Sequence, residues 1–153
     1  MLKKVSKICL FLLVVSLLMG FIVNAQEPIR VLLDGRQLHF DVQPVIIDNR
    51  TMVPMRVIFE ELGADIQWNG ATRTITATRD GVVVRTTVGE RVIEVNGNRI
   101  TMDVAPMIID GRTLVPVRFV SEALDAEVDW YTAGRTVFIT SPLGGDIVSD
   151  EEQ

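Results

Sequence analysis

Cysteine, lysine and histidine are nearly absent from this chain of 153 residues. The single cysteine and the three lysines lie close to the amino terminus, at Cys9, Lys3, Lys4 and Lys7. Residues 26–153 therefore form no disulfide and carry no thiol nucleophile. They contain one histidine, His39, and one tyrosine, Tyr131, and show neither metal-ligand spacing nor a nucleophile motif such as Gly-x-Ser-x-Gly. The sequence predicts no metal, no cofactor and no catalytic residues.

Positive charge is also scarce in residues 26–153. Their basic residues are twelve arginines, which stand against twenty Asp and Glu and give a net charge near −8. A negative surface repels phosphate backbones and anionic headgroups. We therefore expect neither nucleic acid nor anionic lipid as a partner.

Residues 1–25 have the pattern of a secretory signal. A basic head with three lysines precedes an uncharged apolar run over about residues 8–23, and Val23-Asn24-Ala25 supplies a cleavage site. The apolar run of about 16 residues is shorter than the roughly 20 that span a bilayer. We expect a secreted or cell-surface protein, and an uncleaved signal segment would be its one membrane contact.

A thirteen-residue segment occurs twice, at residues 44–56 and 106–118. The offset of 62 residues holds without a gap over residues 34–78 and 96–140, where about 20 of 45 positions are identical. This identity indicates an internal duplication. Each copy keeps one framework of proline, aspartate, arginine and proline: Pro44, Asp48, Arg50 and Pro54, then Pro106, Asp110, Arg112 and Pro116.

Each copy predicts a tight turn followed by a short helix. The dipeptides Asp48-Asn49 and Asp110-Gly111 favour a hairpin turn with positive φ. The second proline stands where a helix begins, because its missing N–H has no intrahelical partner there. Apolar spacings of three and four then predict one buried stripe per helix: Met55, Ile58 and Leu62, and Val117, Val120 and Leu124. The first helix stops at Gly63, and Asp125 in the same place is a weaker stop.

Short strands surround these helices and define an α+β fold. Hairpins are predicted before each helix, at 29–33 with 37–40 and at 92–95 with 99–102, and after it, at 65–68 with 73–78 and at 127–131 with 135–140. A Val-rich strand at 82–88 is expected to bridge the copies. We predict mainly antiparallel strands with two short helices, in two tandem hairpin–helix–hairpin repeats that share one core.

The domain organisation follows from these boundaries. Residues 26–141 form one domain, with repeats at about 30–79 and 92–141. Residues 142–153 lack periodicity and end in acidic residues, which predicts a disordered acidic tail.

These motifs resemble the copper amine oxidase N-terminal-like domain, also called the stalk domain, over about residues 31–141. The resemblance rests on Pro-x-Ile-Ile-Asp-x-Arg-Thr-x-Val-Pro-x-Arg and, after the helix, on Trp-x-x-Ala-x-Arg-Thr. It implies a bacterial secreted or cell-surface module that lies apart from catalytic domains, and it supplies no ligand or catalytic residues. A copper oxidase site needs several histidines and a tyrosine precursor, which one His and one Tyr do not provide.

The candidate binding residues are aromatic residues and arginines. Trp68 and Trp130 stand at equivalent strand ends, where they are expected to be core residues or to pack over the helix, although exposed indoles would stack on sugar rings. Tyr131 follows Trp130. Arg56 and Arg118 oppose the helix dipole in the first helical turn, which predicts a structural partner in Asp48 or Asp110. Capture of a carboxylate ligand is the alternative.

Two functions are compatible with the sequence. The preferred one is a non-catalytic secreted or cell-surface module that mediates contacts with an extracellular protein or a cell-wall component. The alternative is a small carbohydrate-active or hydrolytic protein with a site in a groove between the repeats. Exposed tryptophans beside ionisable residues would favour the alternative.

The signal pattern predicts cleavage after Ala25. We expect the exported chain to begin at Gln26, which N-terminal sequencing or intact mass of the protein in the culture medium measures. Recovery of the full-length chain from membranes would instead show an anchor.

Overall fold

The computed structural model describes residues 27–142, which contain thirteen short strands and two short helices. Of these residues, 49% lie in strands and 11% in helices. The class predicted from the sequence, mainly antiparallel strands with two short helices, is confirmed. The predicted signal segment lies outside the described residues, as does the predicted tail apart from Pro142.

The elements alternate in the same order in the two halves of the chain. The first half contains β1 (Arg30–Leu33), β2 (Arg36–Gln37), β3 (Val45–Ile47), β4 (Arg50–Pro54), α1 (Met55–Glu61), β5 (Asp65–Asn69) and β6 (Thr74–Arg79). The strand β7 (Val82–Thr87) follows. The second half contains β8 (Val92–Val95), β9 (Asn98–Thr101), β10 (Met107–Ile109), β11 (Arg112–Pro116), α2 (Val117–Glu122), β12 (Glu127–Tyr131) and β13 (Thr136–Thr140).

The two halves meet in a four-stranded antiparallel sheet with the order β10–β11–β4–β3, which we call the junction sheet. Strands β4 and β11 are its central pair, and Val53 lies directly opposite Val115. These two residues are 62 positions apart, so the pairing brings corresponding segments of the chain together. On either side of this pair, Met52 faces Pro116 and Pro54 faces Leu114.

The other two sheets also combine strands from both halves. One has the order β5–β6–β7–β8–β9, and the other has the order β12–β13–β1–β2 with β1 and β13 parallel. Strand β7 lies between β6 and β8, which confirms the bridging position predicted for residues 82–88. Neither half supplies all the strands of any of the three sheets.

One large apolar core lies between the sheets and the helices. It contains the whole predicted stripe of each helix, in which every side chain is buried: Met55, Ile58, Leu62, Val117, Val120 and Leu124. Each helix packs on a junction strand of the opposite half, α1 on β11 and α2 on β4. A smaller cluster of Met52, Val104 and Leu114 fills the other face of the junction sheet. This packing stabilises helices that are too short to persist alone.

The hairpin turns have the conformation that their dipeptides predict. Asp48 and Asn49 have φ of 48° and 60°, and Asp110 and Gly111 have φ of 47° and 75°. Both central residues of a type I′ turn need positive φ, which Asp, Asn and Gly tolerate best. The turns therefore fix the register of β3 with β4 and of β10 with β11.

The second strand of the first hairpin is shorter than predicted. The sequence predicted a strand at residues 37–40, whereas β2 ends at Gln37. The backbone N–H of Leu38 still donates to the Val31 carbonyl, but β1 begins at Arg30, so the residues after Leu38 have almost no partner strand left. His39 consequently lies outside any strand, and its side chain is exposed.

The two helices end in the same hydrogen-bonded turn but with different residues. Ala64 N–H donates to the Phe59 carbonyl, and Ala126 N–H donates to the Ser121 carbonyl, the pattern of a Schellman motif. The intervening residue has positive φ in both turns, 80° at Gly63 and 58° at Asp125. Among residues 27–142, no helix is long and apolar enough to cross a membrane.

Replacing Asp125 with Gly should stabilise the protein by about 0.5–1 kcal/mol. The left-handed conformation costs an L-residue roughly 1–2 kcal/mol, and glycine loses roughly 0.5–1 kcal/mol more backbone entropy on folding. Urea unfolding followed by tryptophan fluorescence measures the change. Gly63→Ala should shift stability in the opposite direction. Asp125→Asn controls for the carboxylate, and an equal gain from that variant would show that charge rather than backbone conformation is responsible.

Candidate functional site

Two reciprocal ion pairs connect the halves at the junction sheet. Arg50 Nε donates to Asp103 Oδ2 over 2.7 Å, and Arg112 Nε donates to Asp41 Oδ2 over 2.7 Å. The arginines are 62 residues apart, and so are the aspartates. The sequence singled out Arg50 and Arg112 as framework residues but missed their partners. The signal was present, because Asp41 and Asp103 are identical in the aligned copies.

Each ion pair lies beside a groove. The larger one, which we call the Trp68 groove, has a volume of about 780 Å³. The smaller one, the Trp130 groove, has a volume of about 430 Å³ and is lined by ten residues. All ten have their counterparts, at an offset of 62, in the lining of the Trp68 groove. The Trp68 groove is additionally lined by His39, Asp41 and Val57.

The walls of each groove come from different halves of the chain. In the Trp68 groove, Ile108 and Arg112 come from the β10–β11 hairpin, whereas Met55, Arg56 and Trp68 belong to α1 and β5. In the Trp130 groove, the β3–β4 hairpin supplies the first wall, and α2 and β12 supply the second. Both grooves therefore exist only when the two halves are folded together.

Both indoles are partly open to solvent. Trp68 is 43% exposed and Trp130 is 40% exposed, so neither is a core residue and the first of the two expectations was wrong. The physical reason is their place in the sheets. Strands β5 and β12 are edge strands, and each indole stands across from a residue of a single neighbour, Ile75 or Val137. Each helix packs on its edge strand but leaves the indole exposed beside the groove.

The two helix arginines have partners other than the predicted ones. Arg56 Nη1 lies 3.1 Å from Glu60 Oε1, and Arg118 Nε lies 2.8 Å from Glu122 Oε1. The predicted clamp to Asp48 or Asp110 is therefore wrong. Residues four apart on a helix face one another, so a glutamate one turn away is the nearest carboxylate. All four side chains of these pairs are more than half exposed, and such pairs contribute little to stability.

The predicted binding residues divide between three places. Trp68 and Arg56 line one groove, and Trp130 and Arg118 line the other. Tyr131 is 57% exposed but lines neither groove. Successive side chains of a strand point to opposite faces, so Tyr131 lies on the outer face of its sheet, where Phe138 is also exposed. The framework prolines Pro44, Pro54, Pro106 and Pro116 are all buried, and the turn residues Asp48 and Asp110 are exposed.

The grooves contain ionisable groups but no metal-ligand cluster. Among residues 27–142, no three His, Cys, Asp or Glu side chains lie together in a way that would hold a metal ion. The hydrogen bond from Arg112 lowers the pKa of Asp41, with a further contribution from the Val42 N–H. Asp41 is therefore a carboxylate at neutral pH and accepts hydrogen bonds at the rim of the Trp68 groove.

The fold defines a small β-rich module with two grooves, each of which lies between the two halves of one chain. Residues 32–139 match the model of the copper amine oxidase N-terminal domain family. The chain belongs to this family, in which the domain is a non-catalytic module.

Two relatives match over 78 residues, which is 51% of this chain. Over this segment the chain is 33% identical to a protease inhibitor of Brevibacillus choshinensis, and the match covers 24% of that protein. It is 28% identical to a primary amine oxidase of Klebsiella aerogenes, and the match covers 10% of that protein. The matched segment thus spans less than a quarter of the length of either relative.

Replacing Arg112 with Ala should raise the pKa of Asp41 towards its ordinary value. A carboxyl whose pKa is lower in the folded state stabilises the fold above its unfolded pKa, and this contribution disappears as the pH falls through the folded pKa. An NMR titration of the Asp41 carboxyl carbon in wild type and variant measures the shift. The exposed Arg36, which pairs with Glu61, provides the control. If Arg36→Ala moves the Asp41 pKa as far as Arg112→Ala does, the hydrogen bond is not the cause.

Proposed function

We propose that this protein is a secreted or cell-surface module without catalytic activity, which binds an extracellular protein or a cell-wall component through the Trp68 and Trp130 grooves. The proposal includes export through residues 1–25 and a domain over residues 26–141 built from two tandem repeats. Membership of the family supports the non-catalytic part of the proposal. The shared core and the mixed sheets support treating the two halves as one unit.

The exposure of both indoles is the observation that carries the binding role. An indole is a large apolar surface with a single N–H donor, and such side chains are enriched at binding surfaces. Here two of them stand in grooves with matching linings, each beside an exposed isoleucine, Ile108 or Ile46. Covering such a surface with a partner lowers the free energy, because apolar area is removed from water.

The relative named a protease inhibitor is compatible with a protein partner for this module. The match covers 24% of that relative. The proposal therefore extends to the binding of an extracellular protein and not to the inhibition of a protease.

A carbohydrate-active or hydrolytic protein is the second candidate. The specific observation that favours it is the position of exposed tryptophans beside ionisable residues, which include His39, Asp41 and Arg112 in the Trp68 groove. Release of soluble sugars from purified cell wall by the exported protein would distinguish this candidate from a binding module.

Pull-down of the exported protein with whole cells and with purified peptidoglycan tests the binding role. We expect wild type to be retained and the double variant Trp68→Ala/Trp130→Ala to be lost from the bound fraction, because the largest apolar surface of both grooves has been removed. Tyr131→Ala is the matched control, since it removes an exposed aromatic side chain outside the grooves. Circular dichroism checks that all variants fold. Full retention of the double variant would show that the grooves are not the contact surface.

A further inference from the structure

We propose that the two grooves are equivalent sites for one ligand, a neutral glycan chain, and that a single protein molecule holds the chain at both sites. This inference rests on the proposed binding role of the grooves and assigns the class of ligand. Three observations carry it: the retention of exposed groove residues, the balance of charge, and the pairing of an apolar surface with hydrogen-bonding groups.

The large exposed apolar residues and the helix arginines of the grooves are the same in both copies. Ile46 and Ile108 are 45% and 44% exposed, and the two tryptophans and the two helix arginines are exposed as well. Exposed side chains of this kind contribute little to stability, so the fold alone does not account for their identity.

The outer faces of the sheets provide the comparison. There the exposed aromatic residues are not shared, with Tyr131 replacing Asn69 and Phe138 replacing Thr76. Among the described residues, the large exposed apolar side chains that the two copies share all line the grooves. Two like sites suit a ligand that presents the same unit repeatedly, as a polymer does.

The arginines of both grooves are already neutralised. Arg112 and Arg50 pair with Asp41 and Asp103, and the helix arginines pair with glutamates one turn away. An anionic ligand would have to compete with these carboxylates, and the net charge near −8 of residues 26–153 would also repel it. A ligand without charge meets neither obstacle.

The remaining chemistry of the grooves matches a pyranose ring. Such a ring has an apolar face of C–H groups and a rim of hydroxyls that both donate and accept hydrogen bonds. In the Trp68 groove, Trp68 and Ile108 supply apolar surface, while Arg112 supplies donors and Asp41 supplies acceptors. A binding site that is mostly apolar with a few fixed polar groups is the usual form of a small-molecule site.

Two sites on one protein molecule imply avidity for a polymer. Once one groove holds a glycan chain, the second binding event is intramolecular, which strengthens binding by roughly 10²–10⁴-fold when the geometry allows both contacts. Loss of one tryptophan should therefore weaken binding to a polymer far more than binding to a short oligosaccharide.

Calorimetry with soluble tetrasaccharides, chitotetraose and cellotetraose in separate titrations, tests the equivalence of the sites. We expect two sites per chain in wild type and in Tyr131→Ala, one site in Trp68→Ala and in Trp130→Ala, and none in the double variant. On insoluble chitin or cellulose, each single variant should bind at least about tenfold more weakly than wild type. The preferred tetrasaccharide identifies the sugar.

Several results would overturn this inference. One site per wild-type chain would refute equivalence, and unchanged glycan binding by the double variant would refute the assignment of the grooves. If neither glycan binds but the double variant loses retention on whole cells, the glycan class is wrong while the proposed binding role stands. If neither glycan binds and the double variant is retained on cells and peptidoglycan as well as wild type is, both this inference and the proposed function fail.

Discussion

The antiparallel pairing of β4 with β11 is the interaction on which the rest of this structure depends. Val53 stands opposite its own counterpart Val115, and the residues on either side pair reciprocally, Met52 with Pro116 and Pro54 with Leu114, as in an isologous contact. The same relation produces the reciprocal pairs of Arg50 with Asp103 and of Arg112 with Asp41. Each strand leads directly into its helix, and each helix packs on the junction strand of the other half. A shift of register by one residue would turn Val53 and Val115 out of the core.

The grooves are a consequence of that pairing. A hairpin from one half stands next to the helix and edge strand of the other, and the space between them is the groove. The ion pairs at the groove rims are exposed, so they contribute little to the free energy of unfolding. Their effect is on geometry and charge, because a guanidinium held by a carboxylate has a fixed direction and no net charge to offer. Stability comes instead from the apolar core, which contains side chains from both halves.

Outside the grooves, the exposed aromatic residues of the two halves differ. The sheet that contains β12 and β13 exposes Tyr131 and Phe138, whereas the five-stranded sheet has Asn69 and Thr76 at those positions. The helix ends differ as well, since Asp125 adopts the positive φ that Gly63 adopts without a steric penalty. The grooves keep their large exposed apolar residues, Ile46 with Ile108 and Trp68 with Trp130. The binding role proposed for this protein therefore rests on side chains that the fold itself does not require.

Local chemistry in the sequence determined the turns, the helix positions and the buried stripes. Asp48-Asn49 and Asp110-Gly111 select a turn because few residues tolerate positive φ, and Met55, Ile58 and Leu62 share one helix face because of the 3.6-residue period. Partners distant in the chain were decided only by the tertiary structure. Arg50 meets Asp103, 53 residues away, because β4 pairs with β11 in one register. The exposure of Trp68 and Trp130 depended on which strands became sheet edges, and local pattern does not record that.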